Sequence, residues 1–353
     1  MSFTLCLTGD ILPTRRLLDP PRSARAVYGL LHAADFAVGN FEMPLTQADV
    51  PLHKLLNIRA APDIAADVPM LGVDVVTIAN NHAVDYGWAG LRDTREALSH
   101  AGIAVIGAGE TSAAAMHPLV REVAGLRVGV IAFSCLTPTG MGATTDRPGI
   151  SAIHVQTGYE IDPWYQMEEP GDPSVVRIRT SVRADDLAAA LAAVAALRAC
   201  CDIVVVTIHW GFGSGEDLAE YQHPLGQALI EAGADVVHGH HPHAIHAIGF
   251  HRGKPILFSA GTFIGQQVFL DASPAVKTLW AGMSPDGYVA ELRFSPHMAA
   301  EIVLHPTTLD ADRLPLIATG ADFDRIAARL ARLSAPCGAT VVPDGGVLRV
   351  AAA

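Results

Sequence analysis

The sequence predicts an α/β fold, and three observations carry that reading. Short β-branched runs alternate with helical patterns along most of the 353 residues. Half of the residues are apolar, 17% are charged and mean hydropathy is +0.30, so the chain buries a large core and is not intrinsically disordered. No internal repeat or low-complexity tract interrupts the alternation. The first strand, 3–7, is the run Phe-Thr-Leu-Cys-Leu. A helix over 23–34 follows a Pro pair, with Ser23 as its N-cap. Strands come next at 36–38 and 73–79. The helix over 88–101 carries Leu91, Arg95 and Leu98 at helical spacing and ends at Gly102, a C′ glycine. Strands at 104–106 and 127–133 continue the pattern. The rhythm then breaks over 137–180, which holds Pro138, Pro148, Pro163, Pro170 and Pro173 with Trp164 and Tyr165 and reads as an insertion or lid. Helices at 184–200 and 224–232 precede strands at 203–208 and 235–237, and another strand is expected at 256–258. A hairpin of 288–294 with 300–304 closes the pattern, followed by a helix at 322–333. Length alone allows two domains, but α/β folds often run longer as one. The expectation is one domain over 1–310, with a helical extension over 311–353 packed on it.

The charge balance, 24 basic against 36 acidic residues, is −12, with a sequence pI of about 5.7. That argues against a general nucleic-acid binder, which shows a basic patch or stripe. Five cysteines without a Cys-x-x-Cys are too few and too scattered for a disulfide framework, and Cys6 and Cys135 sit in apolar strand-like runs. The N-terminus has no basic n-region or long h-region, and the longest low-charge run, 187–197, is about half a membrane span. A soluble cytoplasmic protein without membrane or nucleic-acid partners is expected; oligomeric state is unreadable. Sixteen histidines, more than Phe, Tyr or Trp taken singly, are the anomaly.

Five loops after expected strands hold polar residues that structure alone does not require. They are Thr8-Gly9-Asp10, Gly39-Asn40-Phe41-Glu42, Ala79 to Gly87 with Asn80, Asn81, His82 and Asp85, His209-Trp210-Gly211, and Gly239-His240-His241-Pro242-His243. Each has a structural alternative. Asp10 suits an Asx turn or N-cap, Glu42 a solvated loop, Asn80 and Asn81 a turn, and His209 a satisfied core position. Together they read differently. Ligands of an α/β sheet gather beyond the carboxyl ends of its strands, where the five loops can converge. Carboxylate, amide oxygen and imidazole form a ligand set suited to Mn, Fe, Co, Ni or Zn.

These motifs resemble the metallophosphoesterase superfamily, and within it the CapA branch associated with poly-γ-glutamate capsule synthesis. Gly-Asp, Asn-x-Glu, Ala-Asn-Asn-His-x-x-Asp-x-Gly, His-Trp-Gly and Gly-x-His-Pro-His occur in that order over about residues 3 to 265. The resemblance implies a four-layer αββα sandwich of two mixed sheets flanked by helices, and a two-metal site. Glu42 would bridge both ions; Asp10 and His243 would complete one position, and Asn81, His209 and His241 the other. His82 would be catalytic, as a general acid or electrostatic stabiliser, with Asp85 orienting it. The activity implied is hydrolysis of a small anionic substrate by a dinuclear metal-bound hydroxide, at a phosphoester or an amide of γ-glutamyl type. The alternative is a non-catalytic or accessory role in making a capsule polymer. Departures from the pattern bear on the site. Leu12 stands where the broad superfamily has a histidine, which leaves room for Arg15 or Arg16 to hold a substrate carboxylate or phosphate. Glu220 and Tyr221 resemble the family's approach to its last motif and are candidate substrate residues. Thr262 stands in place of a family Asn, and Trp164, Tyr165, Arg147 and Arg177 are candidates for the lid. His238 and His240 are expected to face away from the metals.

Overall fold

The computed structural model describes residues 3–17, 19–213, 215–295 and 300–353. The chain begins with β1 (Phe3–Leu12), α1 (Arg22–Ala33), β2 (Phe36–Phe41), β3 (Val75–Thr77), α2 (Gly87–His100) and β4 (Ala104–Ile106). These four strands lie side by side in parallel. A short rung of β5 (Ala108–Gly109), α3 (Ser112–Ala115), and the hairpin β6 (Leu119–Val123) and β7 (Leu126–Ser134) follow. After β8 (Gly149–Ile150), which pairs with β5, comes an arm: β9 (Val155–Ile161), α4 (Pro163–Glu168) and β10 (Val176–Val182). The chain then alternates through α5 (Ala184–Arg198), β11 (Ile203–His209), α6 (Gln222–Glu231), β12 (Val236–His240), β13 (Ile248–His251) and β14 (Lys254–Leu257). It returns to the first sheet with β15 (Thr262–Gly265), α7 (Pro274–Ala281), β16 (Asp286–Phe294), β17 (Glu301–Leu309), β18 (Pro315–Ile317), α8 (Ala321–Ser334), β19 (Ala339–Asp344) and β20 (Val347–Ala352).

Two mixed sheets result. The ten-stranded sheet runs β19-β20-β17-β16-β1-β2-β3-β4, with β15 on β1 and β18 on β17; the six-stranded one runs β13-β14-β12-β11-β7-β6. Strand alternation sorts their side chains. Leu5 and Leu7 of β1 meet Val128, Val130, Ile203 and Val205 of the second sheet in one core between the sheets. Cys6 packs outward in the core under α1 and α2, and Val204, Val206 and Ile208 pack outward under α5 and α6. The order of layers is therefore helix, sheet, sheet, helix, the sandwich that the motifs imply. No helix among the described residues is long and apolar enough to cross a membrane.

Three local readings differ from the sequence expectation. Helix α1 starts one residue early, at Arg22, and its N-cap position is Pro21, so Ser23 is not a cap. The break over 137–180 is partly regular, because β9 and β10 pair in register along all seven residues. The segment 311–353 supplies β18, β19 and β20 as well as helix α8, and so extends the first sheet. Its short strands lack the long apolar runs by which buried strands announce themselves.

Candidate metal centre

The carboxyl ends of strands from both sheets meet at one place. Asp10 lies within β1, because the strand continues to Leu12, and it pairs in register with Asn40 of β2. Glu42 follows β2 directly. His209 ends β11 beside His240, which ends β12. The close approach at Asp10 depends on glycine: a Cβ on Gly9 would stand 1.9 Å from the Gly261 carbonyl oxygen, which accepts a 3.0 Å hydrogen bond from the Asp10 amide. Gly239 is similarly confined, with Phe258 O and Trp210 Nε1 both 2.3 Å from where its Cβ would be.

Three triads of ligand-type atoms converge there: Asp10, Glu42 and His243; Glu42, His209 and His241; and Asp10, His209 and His240. His209 Nε2 lies 2.8 Å from Asn81 Oδ1 and 3.5 Å from Glu42 Oε1. Asp10, Glu42 and His209 are fully buried. The Asn40 amide donates to Asp10 Oδ1 at 2.8 Å and Glu42 Oε2 at 3.2 Å, holding the two carboxylates together. Its own oxygen accepts from Asn80 Nδ2 at 3.1 Å, and Asn80 Oδ1 accepts from the His82 and Ala83 amides. Asn80 thereby shapes the turn that carries Asn81 and His82.

His82 Nδ1 donates to Asp85 Oδ2 at 2.8 Å. Asp85 is fully buried and also accepts from the Ile58 amide at 2.7 Å and from Lys54 Nζ at 2.5 Å, while Lys54 Nζ reaches the Asn81 carbonyl at 2.7 Å. Burial holds the His82 imidazole below its ordinary range, against the pull of Asp85. His209 and His240 are pushed well below that range by burial and by neighbouring imidazoles, and His241 is pushed down to about 3 by the same causes. These rings are neutral and have lone pairs to donate. Burial works to raise Asp10, but His243 beside it brings its carboxyl below the ordinary value. Burial and then the charge of Asp10 raise Glu42 well above its own.

The donors fit a metal. Asp10 Oδ2, Glu42 Oε1, His241 Nδ1 and His243 Nδ1 are buried and find no hydrogen-bond partner among the described residues, a costly state for polar atoms. Asp10 Oδ2 and His243 Nδ1 stand 3.0 Å apart without hydrogen-bond alignment. The backbone is strained at the same spot: His241 and His243 have φ of +113° and +50° on either side of Pro242, conformations that cost about 1–3 kcal/mol each outside glycine.

Asn81, His82, Asp85, His209, His241 and His243 thus gather with Asp10 and Glu42. The other candidates lie elsewhere. Arg16 spends its guanidinium on Asp67, with two contacts of 2.8 Å, and on Asp63. Arg15 lies over the Phe269 ring, 4.0 Å from its centroid. Glu220 accepts from the Thr180 amide at 2.8 Å and pairs with Arg179 at 3.0 Å, and with Tyr221 it lines a groove of about 710 Å³ between the arm, α5 and α6. The Tyr221 hydroxyl accepts from the Gly211 amide at 2.8 Å, two residues past His209. Trp164 and Tyr165 are exposed at the end of the arm, near Arg177, and Arg147 lies outside the arm. Thr262 pairs in register with Asp10.

Sequence reasoning placed Asn40 and His240 in the polar loops without assigning either a role at the site, and it passed over Lys54. Strand alternation carried a signal for the first, since Asn40 near the end of β2 and Glu42 just past it are two apart and extended chain sends both to one side. His240 does not face away: its Nδ1 lies 2.8 Å from His209 Nδ1. Lys54 sits in an irregular stretch without periodicity, and no pattern marks it.

Comparison with known proteins adds to this. Residues 4–267 match the family described as "Bacterial capsule synthesis protein PGA_cap". The "Capsule biosynthesis protein CapA" of Bacillus anthracis is 26% identical over 275 residues, which cover 75% of this chain and 60% of that protein. A "Probable polyglutamine synthesis accessory protein" of Mycobacterium tuberculosis is 34% identical over 237 residues, covering 66% of this chain and 56% of the relative. The chain therefore spans 56–60% of the length of these two relatives. Among solved structures, a hypothetical protein from Thermus thermophilus aligns with a TM-score of 0.48 at 13% identity, over 86% of this chain and 98% of that one.

Proposed function

The chain belongs to the bacterial capsule synthesis protein family, and on that premise we propose that it is a metal-dependent hydrolase of a small anionic substrate. The bond broken is a phosphoester or an amide of γ-glutamyl type. The observation that carries the reading is the set of partnerless buried atoms, Asp10 Oδ2, Glu42 Oε1, His241 Nδ1 and His243 Nδ1, on residues of two ligand clusters that share Glu42. Asp10 and His243 would hold one divalent transition metal, Asn81, His209 and His241 a second, with Glu42 shared. Mn, Zn, Fe, Co and Ni all suit such donors. Bound there, the ions supply Lewis acidity at the attacked centre and acidify water.

The chain's own residues do the rest. Asp85 accepts the Nδ1–H of His82 in a hydrogen bond, which leaves Nε2 as the acceptor end of the neutral ring; Nε2 would take up a proton from water and then pass it to the leaving group. Lys54 compensates the charge of Asp85, which leaves Asp10 and Glu42 as the acids available to the ions. Two divalent cations outweigh those two carboxylates, so the pocket of an acidic protein attracts an anion.

The test is metal content and turnover. Wild type is expected to carry metal and to cleave at least one member of a phosphodiester, phosphomonoester and γ-glutamyl panel with Mn, Co, Ni or Zn. Glu42→Ala and His241→Ala should lose metal, while His82→Ala should keep it and lose about 10²–10⁴-fold in kcat. Stoichiometric metal retained in both ligand variants would overturn the assignment. The relatives' names, one a capsule biosynthesis protein and one a polyglutamine synthesis accessory protein, favour one further reading, an accessory role in making a capsule polymer. Full metal loading without turnover of any panel member would support it.

A further inference from the structure

Behind His209 lies a file of buried side chains whose proton direction is set at one end. His238 Nε2 stands 2.9 Å from the Thr8 carbonyl oxygen. That oxygen only accepts, so Nε2 carries the proton and Nδ1 of the neutral ring is an acceptor. Nδ1 lies 3.3 Å from Thr207 Oγ1, so the hydroxyl donates there. A hydroxyl has one proton, and the same oxygen must therefore accept from His240 Nε2, 3.0 Å away. His240 Nδ1 is then an acceptor too. It takes the proton of His209 Nδ1 at 2.8 Å. What remains on His209 is an unprotonated Nε2. Among the described residues the one competing donor, the Asn40 amide at 3.5 Å from His209 Nδ1, already serves Asp10 and Glu42. All three rings and Thr207 are fully buried, so water does not intervene in the sequence of donors.

We infer that Thr8, His238, Thr207 and His240 form a relay that fixes His209 in its Nδ1–H tautomer and aims the Nε2 lone pair at the metal centre. His238, Thr207 and His240 are thus positioning residues for one ligand. The direction of the relay follows from these contacts alone; that Nε2 faces a cation rests on the function proposed above. Two consequences follow for the site. His240 spends both nitrogens in the relay, so the triad of Asp10, His209 and His240 is not a ligand set. His209 Nε2 and Asn81 Oδ1, 2.8 Å apart, present two lone pairs to each other, an arrangement that a cation bound to both makes favourable.

The experiment is long-range ¹⁵N–¹H NMR of the histidine rings in the full chain after chelator treatment, followed by titration with Zn²⁺. The expected tautomers are Nε2–H for His238 and His240 and Nδ1–H for His209; an Nε2–H form at His209 would overturn the relay. Thr207→Val, close to isosteric in its strand, should release the His209 tautomer and weaken Zn²⁺ binding by about tenfold, whereas Thr207→Ser stays within about twofold of wild type. Wild-type affinity in Thr207→Val would overturn the positioning role. The expected tautomers in a chain that takes up no Zn²⁺ would uphold the relay and refute the metal centre instead.

Discussion

At the scale of single residues, the site is held by groups that touch no substrate. Asn40 is the plainest case, since one amide joins two carboxylates that would otherwise repel. The acids, imidazoles and Asn81 were legible in the sequence because each stands at or just past an apolar strand. Asn40 and His240 stand there too, but an amide or imidazole at a strand end carries no local mark of whether it binds a ligand or orients a neighbour. Lys54 was illegible because its position depends on how an irregular loop folds back across the chain. The glycines offer a direct test. Gly9→Ala pushes a methyl into the Gly261 carbonyl and displaces Asp10, so its Tm should fall well below wild type. Gly29, inside α1 with nothing within 4 Å of its Cβ position, is the control. Gly29→Ala should match or exceed wild type by up to about 1 kcal/mol. Thermal unfolding of both decides, and equal Tm values would refute the steric argument.

At the scale of elements, the arm and α8 contrast. The arm is a two-stranded ribbon that exposes Tyr159, Ile161, Trp164, Met167 and Ile178. Such ribbons add little stability by themselves. Helix α8 instead sends Ile326, Ala327 and Leu330 into the core between the sheets, and its Ser334 hydroxyl accepts from the Ile248 amide at 3.0 Å. Joining Val155 to Val182, which are register partners, by a short Gly-rich turn should therefore lower Tm by only a few degrees. Leu330→Ala should cost about 2–5 kcal/mol in urea unfolding. The reverse ranking would show that the arm is integral to the core. Helix α8 was legible from its period. The arm was not, because alternation of apolar and charged residues with both faces in solvent leaves no buried face to read.

For the whole molecule, the buried imidazoles set the response to acid. His238 is pushed down to about 4 by burial, and burial also lowers His223 and His246. In the unfolded chain each titrates near its ordinary value, about 6.5. Between those limits the unfolded state binds more protons, so stability falls as pH falls through 6.5 towards 4. Glu42 and Asp74, raised by burial, act in the opposite sense, but the lowered imidazoles outnumber them. The urea midpoint of chelator-treated protein should thus be lower at pH 5 than at pH 7; an unchanged or higher midpoint would contradict this. The layer order was legible because strand and helix periods alternate so regularly, whereas the pairing of C-terminal strands with the first sheet is a long-range choice that local pattern does not encode. Asp10 comes from β1 of the first sheet and His243 from the loop after β12 of the second, at opposite ends of the family-matched segment, so their meeting awaits the docking of the two halves. Cation uptake would then report the last event of refolding, and a bound ion would act mainly by slowing escape from the native state.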